Sequence, residues 1–318
     1  MQDKRAMTKK LSLCIPTNGI IEWVFPVLDS IYTVNVDECE YEVIIEDNGT
    51  NEEFSKKILD YQRHHSNLKY YRSTSQGFLC QIDCFRHAQG EFIKFVNHRS
   101  LFLEGTLEYL LSFEEKFIDS KPVVFFTNGS VKSCACSSFD SFVANLSYWS
   151  SWSGGLAFWK KDIELLLNKE KFNATFPHTD ILFAIKDAPK YVIDSRKLFS
   201  EIKAGHAKKG NYNLFRAFSV EYLAIICDLL REEAISISTF LHIKNELLSF
   251  LADLYINFII LRQKASYTFT DYKRYIFASY SKGGFYRKVG WRFIVRICRK
   301  MLKKFNICAP KSENTYMD

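Results

Sequence analysis

A polar run, Asn-His-Arg-Ser at 97–100, follows an apolar segment that predicts a buried strand over 91–96. In open α/β sheets the ligand-binding groups lie beyond the carboxyl ends of the strands, so these side chains are candidates for chemistry. Many enzymes place metal-binding carboxylates at such a strand end. Here the run contains a cation, Arg99, and no carboxylate occurs before Glu104. The functional interpretation therefore depends on why an arginine stands where other enzymes have metal-binding carboxylates.

Further strands and helices must position this run. Strands predicted over 11–15, 41–46 and 68–72 alternate with helices predicted over 20–33, 52–63 and 77–88. This alternation indicates an α/β fold with a doubly wound, mostly parallel sheet. The carboxyl ends of parallel strands meet at one edge of the sheet. We therefore expect ligand groups to cluster in the four loops at 16–19, 47–50, 73–77 and 97–100.

The second half of the chain changes in character. The pattern is β-like over 122–160, and helices are predicted over 161–169 and 176–186. Beyond about residue 210 the apolar spacing is helical almost throughout, over 214–233, 240–263 and 285–305. We predict a first domain at 1–208 and a helical region at 209–318.

Composition indicates a globular protein with a sizeable core, since 47% of the 318 residues are hydrophobic and 25% are charged. Nine scattered cysteines without a C-x-x-C pair predict a reducing compartment and no disulfide framework. The charged N-terminus predicts no signal peptide. The longest apolar stretch, 247–261, is interrupted by Asp253 and Asn257 and is too short to span a bilayer. A cytoplasmic protein is expected.

The positive charge is concentrated near the C-terminus. Residues 282–311 contain ten Lys or Arg and no Asp or Glu, and subtracting these from the +7 of the whole chain leaves −3. Over 285–305 the apolar and basic residues segregate at helical spacing. This pattern predicts a basic amphipathic helix on an anionic membrane surface. The alternative is a helix packed on the protein with a solvated basic face. No motif supports nucleic-acid binding, so none is expected.

Five segments, in order, resemble the family 2 glycosyltransferases of the GT-A fold, especially those that build bacterial surface polysaccharides. The resemblance covers about residues 10–200 and implies a GT-A-like sheet with helices on both faces, followed by the C-terminal helical region. The segments are LSLCIPTNGIIEWVFPVLDSI, YEVIIEDNGTNEE, YYRSTSQGFLCQIDCFRHAQGEFIKFV, SGGLAFWKKDIE and FPHTDILFAI.

The resemblance implies a binding site for a nucleotide diphosphate sugar. The positions it assigns to the donor are Pro16, Thr17, Asp47, Gly77, Gln81, Asn97 and His98. A carboxylate at a strand end can accept an N–H from the base, which gives Asp47 a physical role. The alternative for Asp47 is a turn residue that caps the helix beginning at Glu52. The family's usual Tyr-Asn-Arg after Pro-Thr is Asn-Gly-Ile at 18–20, so the first loop departs from the pattern.

The family's Asp-x-Asp motif aligns with Asn97, His98 and Arg99. Carboxylates of that motif bind Mg²⁺ or Mn²⁺, which bridges the donor diphosphate. Arg99 repels a divalent ion, and its guanidinium can bond diphosphate oxygens directly. We therefore expect no metal cofactor, with Mg²⁺ or Mn²⁺ as the minor alternative. A second interpretation is a decayed site in a protein that no longer catalyses transfer.

On the acceptor side, Asp180 aligns with the family's catalytic base. The run beginning at Pro177 also predicts a helix start, where a carboxylate is favoured by the helix dipole. His178 is a candidate to assist the base or bind the acceptor. Gly154 and Gly155 would let an acceptor approach the sheet closely, although an ordinary turn would also use them.

The resemblance implies an inverting glycosyltransferase that moves a sugar from a nucleotide diphosphate donor to a hydroxyl of a lipid-linked or polysaccharide acceptor. We predict Arg99 and Asp180 as its catalytic residues, and a role in capsule, O-antigen or lipooligosaccharide assembly. The enzyme would lie on the inner face of the cytoplasmic membrane, held by 285–305. The alternative is a catalytically inactive GT-A scaffold or nucleotide-binding subunit of a polysaccharide assembly complex. A sugar nucleotidyltransferase is disfavoured because its glycine-rich N-terminal loop is missing.

Overall fold

A computed structural model describes residues 9–169, 171–203 and 212–304. The chain divides into two compact units. The first comprises residues up to Phe142 together with Trp149–Ile202, and the second comprises Val143–Tyr148 and the residues from Lys203 onward. The boundary predicted between 208 and 209 lies outside the described residues.

The strands of the described residues are β1 (Leu11–Thr17), β2 (Tyr41–Asp47), β3 (Leu68–Arg72), β4 (Phe92–Phe95), β5 (Ser100–Phe102), β6 (Val123–Phe126), β7 (Cys134–Cys136), β8 (Leu156–Trp159), β9 (Tyr191–Asp194) and β10 (Phe199–Glu201). The α-helices are α1 (Ile21–Tyr32), α2 (Glu52–His64), α3 (Cys80–Arg86), α4 (Thr106–Phe117), α5 (Phe139–Leu146), α6 (Ile163–Leu167), α7 (Pro177–Leu182), α8 (Leu214–Arg216), α9 (Leu223–Arg231), α10 (Ile237–Leu254), α11 (Tyr272–Ser279) and α12 (Lys282–Lys304).

The first unit contains an eight-stranded sheet in the order β3-β2-β1-β4-β8-β6-β9-β7. The first four strands are parallel to one another. Strand β8 is antiparallel to both β4 and β6, β9 is parallel to β6, and β7 is antiparallel to β9. A separate antiparallel pair is formed by β5 and β10. The predicted doubly wound, mostly parallel sheet is confirmed.

Helices cover both faces of this sheet, and the alternation of side chains along β1 shows how. Leu13 and its same-face neighbours pack into a core with residues of α1, α2 and α4. Cys14 points to the other face, where its Sγ lies 4.0 Å from the carbonyl oxygen of Cys84 in α3. Strands buried on both faces have few polar residues, which explains the continuous apolar runs in the sequence.

Several predicted elements differ from the structure in type or extent; the helix predicted over 176–186, for example, ends as α7 at Leu182. The region predicted as β-like over 122–160 contains α5 between β7 and β8. The aromatic residues of this segment favour a strand by composition, although its buried residues recur at helical spacing. These buried residues are Phe139, Phe142, Val143 and Leu146. The helix predicted over 77–88 begins as a 3₁₀ turn, Gly77–Leu79, and continues as α3 only to Arg86.

The second unit is helical, which confirms the predicted C-terminal helical region. Two π-helical segments interrupt it, Ala217–Tyr222 between α8 and α9 and Tyr255–Ile260 after α10. The helix predicted over 285–305 corresponds to α12, and residue 305 lies outside the described residues. Among the described residues, no helix combines the length and the apolarity needed to cross a bilayer.

The approach of Gly155 to the sheet gives a test of this packing. A Cβ at Gly155 would lie 2.2 Å from the Phe125 ring, whereas one at Gly290 in α12 would have no neighbour within 4 Å. Gly155→Ala should therefore lower the free energy of unfolding by about 1–3 kcal/mol through overpacking. Gly290→Ala should raise it by up to about 1 kcal/mol because alanine favours a helix. Urea unfolding of both variants measures the difference, and equal effects of the two would contradict the packing.

Candidate functional site

The four loops expected to carry ligand groups meet at the carboxyl edge of β1–β4. Asn48 holds three of them together. Its backbone N–H donates to the carbonyl of Thr17 at 3.0 Å, and its Nδ2 donates to the carbonyls of Ser75 and Gly77, each at 3.1 Å. The side chain and the backbone N–H of Asn48 therefore hold the loops after β1, β2 and β3 together.

The fourth loop joins them through His98. Its Nδ1 lies 2.9 Å from Oγ1 of Thr17, and that oxygen also accepts the N–H of Gly19 at 3.1 Å. The Thr17 hydroxyl group thus links the first loop to the fourth loop through His98. Burial of the ring, and then the charge of Arg99, lower the pKa of His98 to about 3. His98 is thus a neutral link between β1 and β4, packed at 5.0 Å against the ring of Trp23.

Arg99 is a cation of this edge without an ion-pair partner among the described residues, whereas Arg72 is paired with Asp47. Its backbone is fixed, since its N–H donates to Oδ1 of Asn97 at 3.1 Å and its carbonyl accepts the N–H of Ile202 at 2.9 Å. Its guanidinium lies 5.3 Å from the centre of the Trp23 ring. Within the part of the chain that the structure describes, the guanidinium has no ion pair and no hydrogen bond. The side chain is half-buried and keeps its N–H groups available for an anionic ligand.

The divalent ion that the Asp-x-Asp motif implies does not suit these residues. Asn97 offers one amide oxygen, which already accepts the Arg99 N–H, and the Nδ1 of His98 faces Thr17. Mg²⁺ and Mn²⁺ prefer several hard oxygen ligands, and the nearest charge in this run is positive. No cluster of three or more His, Cys, Asp or Glu in metal-binding arrangement occurs among the described residues.

Asp47 is buried, and its carboxylate has three donors. Oδ1 accepts the N–H of Gly49 at 2.7 Å, and Oδ2 accepts from the Tyr70 hydroxyl at 3.0 Å and from Arg72 Nη1 at 2.6 Å. Half of the Arg72 side chain is exposed. A ligand can therefore reach Arg72 more readily than the carboxylate, and nucleotide contact by Asp47 stays a prediction.

The alternative role of Asp47, capping α2, is wrong. Asn51 precedes α2 and its Oδ1 accepts the N–H groups of Glu53 and Phe54 at 3.1 and 3.3 Å. Asn51 Nδ2 also donates to the carbonyl of Gly19, which binds α2 to the first loop.

The remaining donor-side residues occupy varied environments. Pro16 is half-buried in β1 beside Glu46 of β2. Gly77 is exposed with a φ of +58°, a conformation that favours glycine. Gln81 in α3 is buried, and its Oε1 has no hydrogen-bond partner among the described residues. Direct contact of these residues with a ligand stays a prediction.

Glu46 was not predicted as a site residue. It is buried on the face of the sheet opposite Asp47, with Oε2 3.6 Å from Nε2 of His87. Burial, followed by the charges of Asp83 and Asp47, raises the pKa of Glu46 to about 7. This carboxyl group is therefore near half-protonation at neutral pH, directly behind the donor-side loops.

Lys94 is a second residue that sequence reasoning missed. Its side chain is completely buried in β4, three residues before Asn97. Its Nζ donates to the carbonyls of Phe95, Gly154 and Leu156 at 2.7, 2.6 and 3.3 Å. The ammonium group thus ties β4 to the segment that precedes and begins β8. A lysine inside an apolar strand was the signal available in the sequence.

The acceptor-side glycines are required by packing. A Cβ at Gly154 would lie 2.5 Å from the Trp152 ring, and one at Gly155 would strike Phe125. His178 of α7 contacts the same segment, since its Nε2–H donates to the carbonyl of Ser151 at 2.7 Å. Burial lowers the pKa of His178 to about 4, so the ring is neutral near pH 7. Its Nδ1 is buried without a hydrogen-bond partner among the described residues.

Asp180 lies in α7, apart from the hydrogen-bonded network of the four loops. Its Oδ2 accepts the N–H of Asn173 at 2.6 Å and forms an ion pair with Lys169 Nζ at 3.3 Å. The carboxylate thus binds the backbone before α7. Among the described residues, no hydrogen bond or ion pair joins Asp180 to any of the four donor-side loops, and its catalytic role stays a prediction.

Similarity to known proteins is found in the three-dimensional structure and identifies the fold. No protein-family model matches the chain, and no curated protein matches it significantly. The structure is similar to that of S. aureus TarS 1-349 in complex with UDP-GlcNAc, with a TM-score of 0.55, 17% identity, and coverage of 88% of this chain and 81% of that one. The fold is GT-A-like.

Two further structures agree. S. aureus TarS 1-349 in complex with UDP has a TM-score of 0.51 and 17% identity, covering 80% of this chain and 75% of that one. A longer S. aureus TarS structure has a TM-score of 0.52 and 15% identity, covering 77% of this chain. The chain spans only 43% of that longer structure.

Lys94 makes stability depend on pH. Burial lowers the pKa of Lys94 from 10.5 to about 7, so above pH 7 the unfolded chain binds a proton that the folded chain has released. The free energy of unfolding should therefore rise by about 2 kcal/mol between pH 7 and pH 9 through this group. Lys94→Met should lack this rise, and urea unfolding at pH 7, 8 and 9 measures it.

Glu46 does not confound this comparison, because both proteins contain it and its contribution cancels in the difference between them. Parallel pH dependences of the wild type and Lys94→Met would contradict the assignment to Lys94.

Proposed function

We propose that this protein is a glycosyltransferase that uses a nucleoside diphosphate sugar as donor. One observation carries the proposal: the guanidinium of half-buried Arg99 lies over the Trp23 ring at the carboxyl edge of a GT-A-like sheet and has no ion pair among the described residues. Ligands of open α/β sheets bind at this edge. Similar structures of S. aureus TarS were determined in complex with UDP-GlcNAc and UDP, which supports a uridine-type donor class.

Arg99 would neutralise the charge of the donor diphosphate, as the metal ion does in enzymes with the Asp-x-Asp motif. Its planar fork of N–H groups matches two oxygens of a diphosphate, and these bonds strengthen as charge builds on the leaving group. Neutral His98 adds no charge of its own, and its contact with Thr17 holds the loop in register. Asn97 supports the backbone of Arg99 through its side-chain oxygen. Metal-independent transfer follows as part of the proposal.

Asp180 would be the base. Its Oδ2 is held by Asn173 and Lys169, whereas Oδ1 has no partner among the described residues. Oδ1 would accept the proton of the acceptor hydroxyl group. At the same time the hydroxyl oxygen would bond to the anomeric carbon of the donor sugar, and the bond between that carbon and the diphosphate would break. Direct displacement inverts the anomeric centre. His178, in the same helix, would position the acceptor.

We further propose a hydroxyl of a lipid-linked or polysaccharide acceptor, with a place in capsule, O-antigen or lipooligosaccharide assembly on the cytoplasmic side of the membrane. The resemblance to enzymes of surface-polysaccharide synthesis supports this assignment. A nucleotide-sugar panel with lipid-linked acceptors would identify the transfer product.

A second candidate is a nucleotide-binding subunit without turnover. Two observations favour it: the Asp47 carboxylate already accepts hydrogen bonds from Gly49, Tyr70 and Arg72, and Asp180 forms an ion pair with Lys169. Such a subunit would bind the donor through Arg99 but would not hydrolyse or transfer it. Absence of turnover with every donor and acceptor offered, together with nucleotide binding, would establish this candidate instead.

Removal of Arg99 tests the donor site. Arg99→Ala should weaken binding of UDP-GlcNAc or UDP by about ten- to a hundred-fold, because a hydrogen-bonded charge contributes about 1.5–3 kcal/mol. Arg63→Ala is the matched control, since Arg63 is an exposed arginine of α2. Isothermal titration in EDTA measures both. Equal affinities of the wild type and Arg99→Ala would exclude a diphosphate contact.

Asp180→Asn tests the base separately from binding. Loss of a general base should lower kcat by about 10²- to 10⁴-fold. Donor affinity should stay within about two-fold of the wild type, because the amide keeps the shape of the side chain. The rate of product formation, measured at saturating donor in the presence of EDTA, gives kcat. A variant with full turnover would assign the proton to another group.

A further inference from the structure

Helix α12 has two different long faces, and the inner one is fully occupied. Arg292 forms a two-pronged ion pair with Asp253 of α10, and Arg296 donates to the side-chain oxygen of Asn257 in the π-helical segment after α10. Both partners advance by four residues from one contact to the next. The two helices therefore run in the same direction here. Both arginines are bonded to residues of the neighbouring helix.

The outer face is apolar and unpartnered within the described chain. We call it the outer stripe, and it consists of Trp291, Ile294, Ile297 and Met301. Spacings of three and four residues place these side chains along one side of the helix. Trp291 is 64% exposed and Ile294 is 55% exposed, which is unusual for residues of this size.

Cations surround the outer stripe. Arg287, Arg299 and Lys300 are exposed, and none of them forms an ion pair among the described residues. The sequence of α12 contains no Asp or Glu. Two arginines of the inner face thus bond to side chains of the neighbouring helix, whereas the exposed cations beside the outer stripe have no ion-pair partner among the described residues.

Further apolar surface lies at the same end of the helix pair. Ile260 and Leu261 are exposed and follow Asn257 by about one turn. Met301 follows Arg296, the partner of Asn257, by about one turn as well. Because the two helices run in the same direction, Ile260 and Leu261 lie at the same end of the helix pair as Met301.

We propose that the outer stripe docks on an anionic lipid bilayer, with α12 in the plane of the interface. Exposed tryptophan and isoleucine suit the boundary between headgroups and acyl chains, and the flanking cations suit anionic headgroups. Charge selects this occupant over a second copy of the chain, since two outer stripes face to face would bring their cations together. The surface belongs to the second unit and is independent of the proposed transfer chemistry.

Flotation of the full chain with vesicles tests the apolar part. The vesicles contain phosphatidylcholine with 30% phosphatidylglycerol or phosphatidylcholine alone. Trp291→Ser with Ile294→Ser should lower the partition coefficient on anionic vesicles by at least about ten-fold. The matched control is Ile237→Ser with Leu241→Ser in α10, since these residues are 69% and 57% exposed. An equal loss in the control would overturn the proposal.

Charge variants test the electrostatic part. Arg299→Gln with Lys300→Gln should lower the partition coefficient by about ten-fold or more at 0.1 M salt and by less at 0.5 M. Lys56→Gln with Lys132→Gln, two exposed lysines of the first unit, should leave it unchanged. Equal binding of the wild type to phosphatidylcholine alone would overturn the preference for anionic lipid.

Two further readouts separate lipid docking from self-association of the chain. Trp291→Phe should keep binding while removing the blue shift of tryptophan fluorescence that vesicles cause, because Trp291 would be the ring that enters the interface. Light scattering measures the mass of each protein without lipid. A dimer that dissociates in Trp291→Ser with Ile294→Ser, with vesicle binding unaltered, would assign the outer stripe to a second copy and overturn the proposal.

Discussion

The parallel order of β3, β2, β1 and β4 is the constraint on which the donor-side structure depends. Parallel strands bring their carboxyl ends to one edge, and the loops that leave that edge contain backbone groups that need hydrogen-bond partners. Asn48 supplies partners to two neighbouring loops, and Thr17 with His98 joins the fourth. The loop residues are therefore held in place before any ligand arrives.

Within that frame, charge decides the chemistry. Asp47 is neutralised by Arg72, and Lys94 is enclosed by three carbonyl groups, so neither presents an unpaired charge at the edge. Arg99 differs because its guanidinium contacts the face of Trp23 and leaves its N–H groups unused among the described residues. A cation held in this way complements a diphosphate, and it opposes the divalent ion that a carboxylate pair would attract.

Much of this structure could be predicted from local sequence. The apolar runs of β1 and β2 and the polar loops after them follow from periodicity and turn chemistry, because both are set by neighbouring residues. The role of Lys94 could not, since its Gly154 partner is sixty residues away in the sequence. The choice of Asn51 over Asp47 as the cap of α2 depends on side-chain direction, which sequence spacing does not give. Helix α5 was missed because Phe139 and Phe142 favour strands by composition while their spacing is helical.

We propose that Arg99 takes the position of a metal ion on the donor diphosphate. A crystal structure of the protein with UDP, grown in the presence of Mn²⁺ and measured for anomalous scattering at the manganese edge, would show which cation contacts the diphosphate. We expect guanidinium nitrogens of Arg99 within about 3 Å of diphosphate oxygens and no anomalous peak between the diphosphate and residues 97–99. A manganese ion bridging the diphosphate to the protein at that position, with Arg99 turned away, would contradict it.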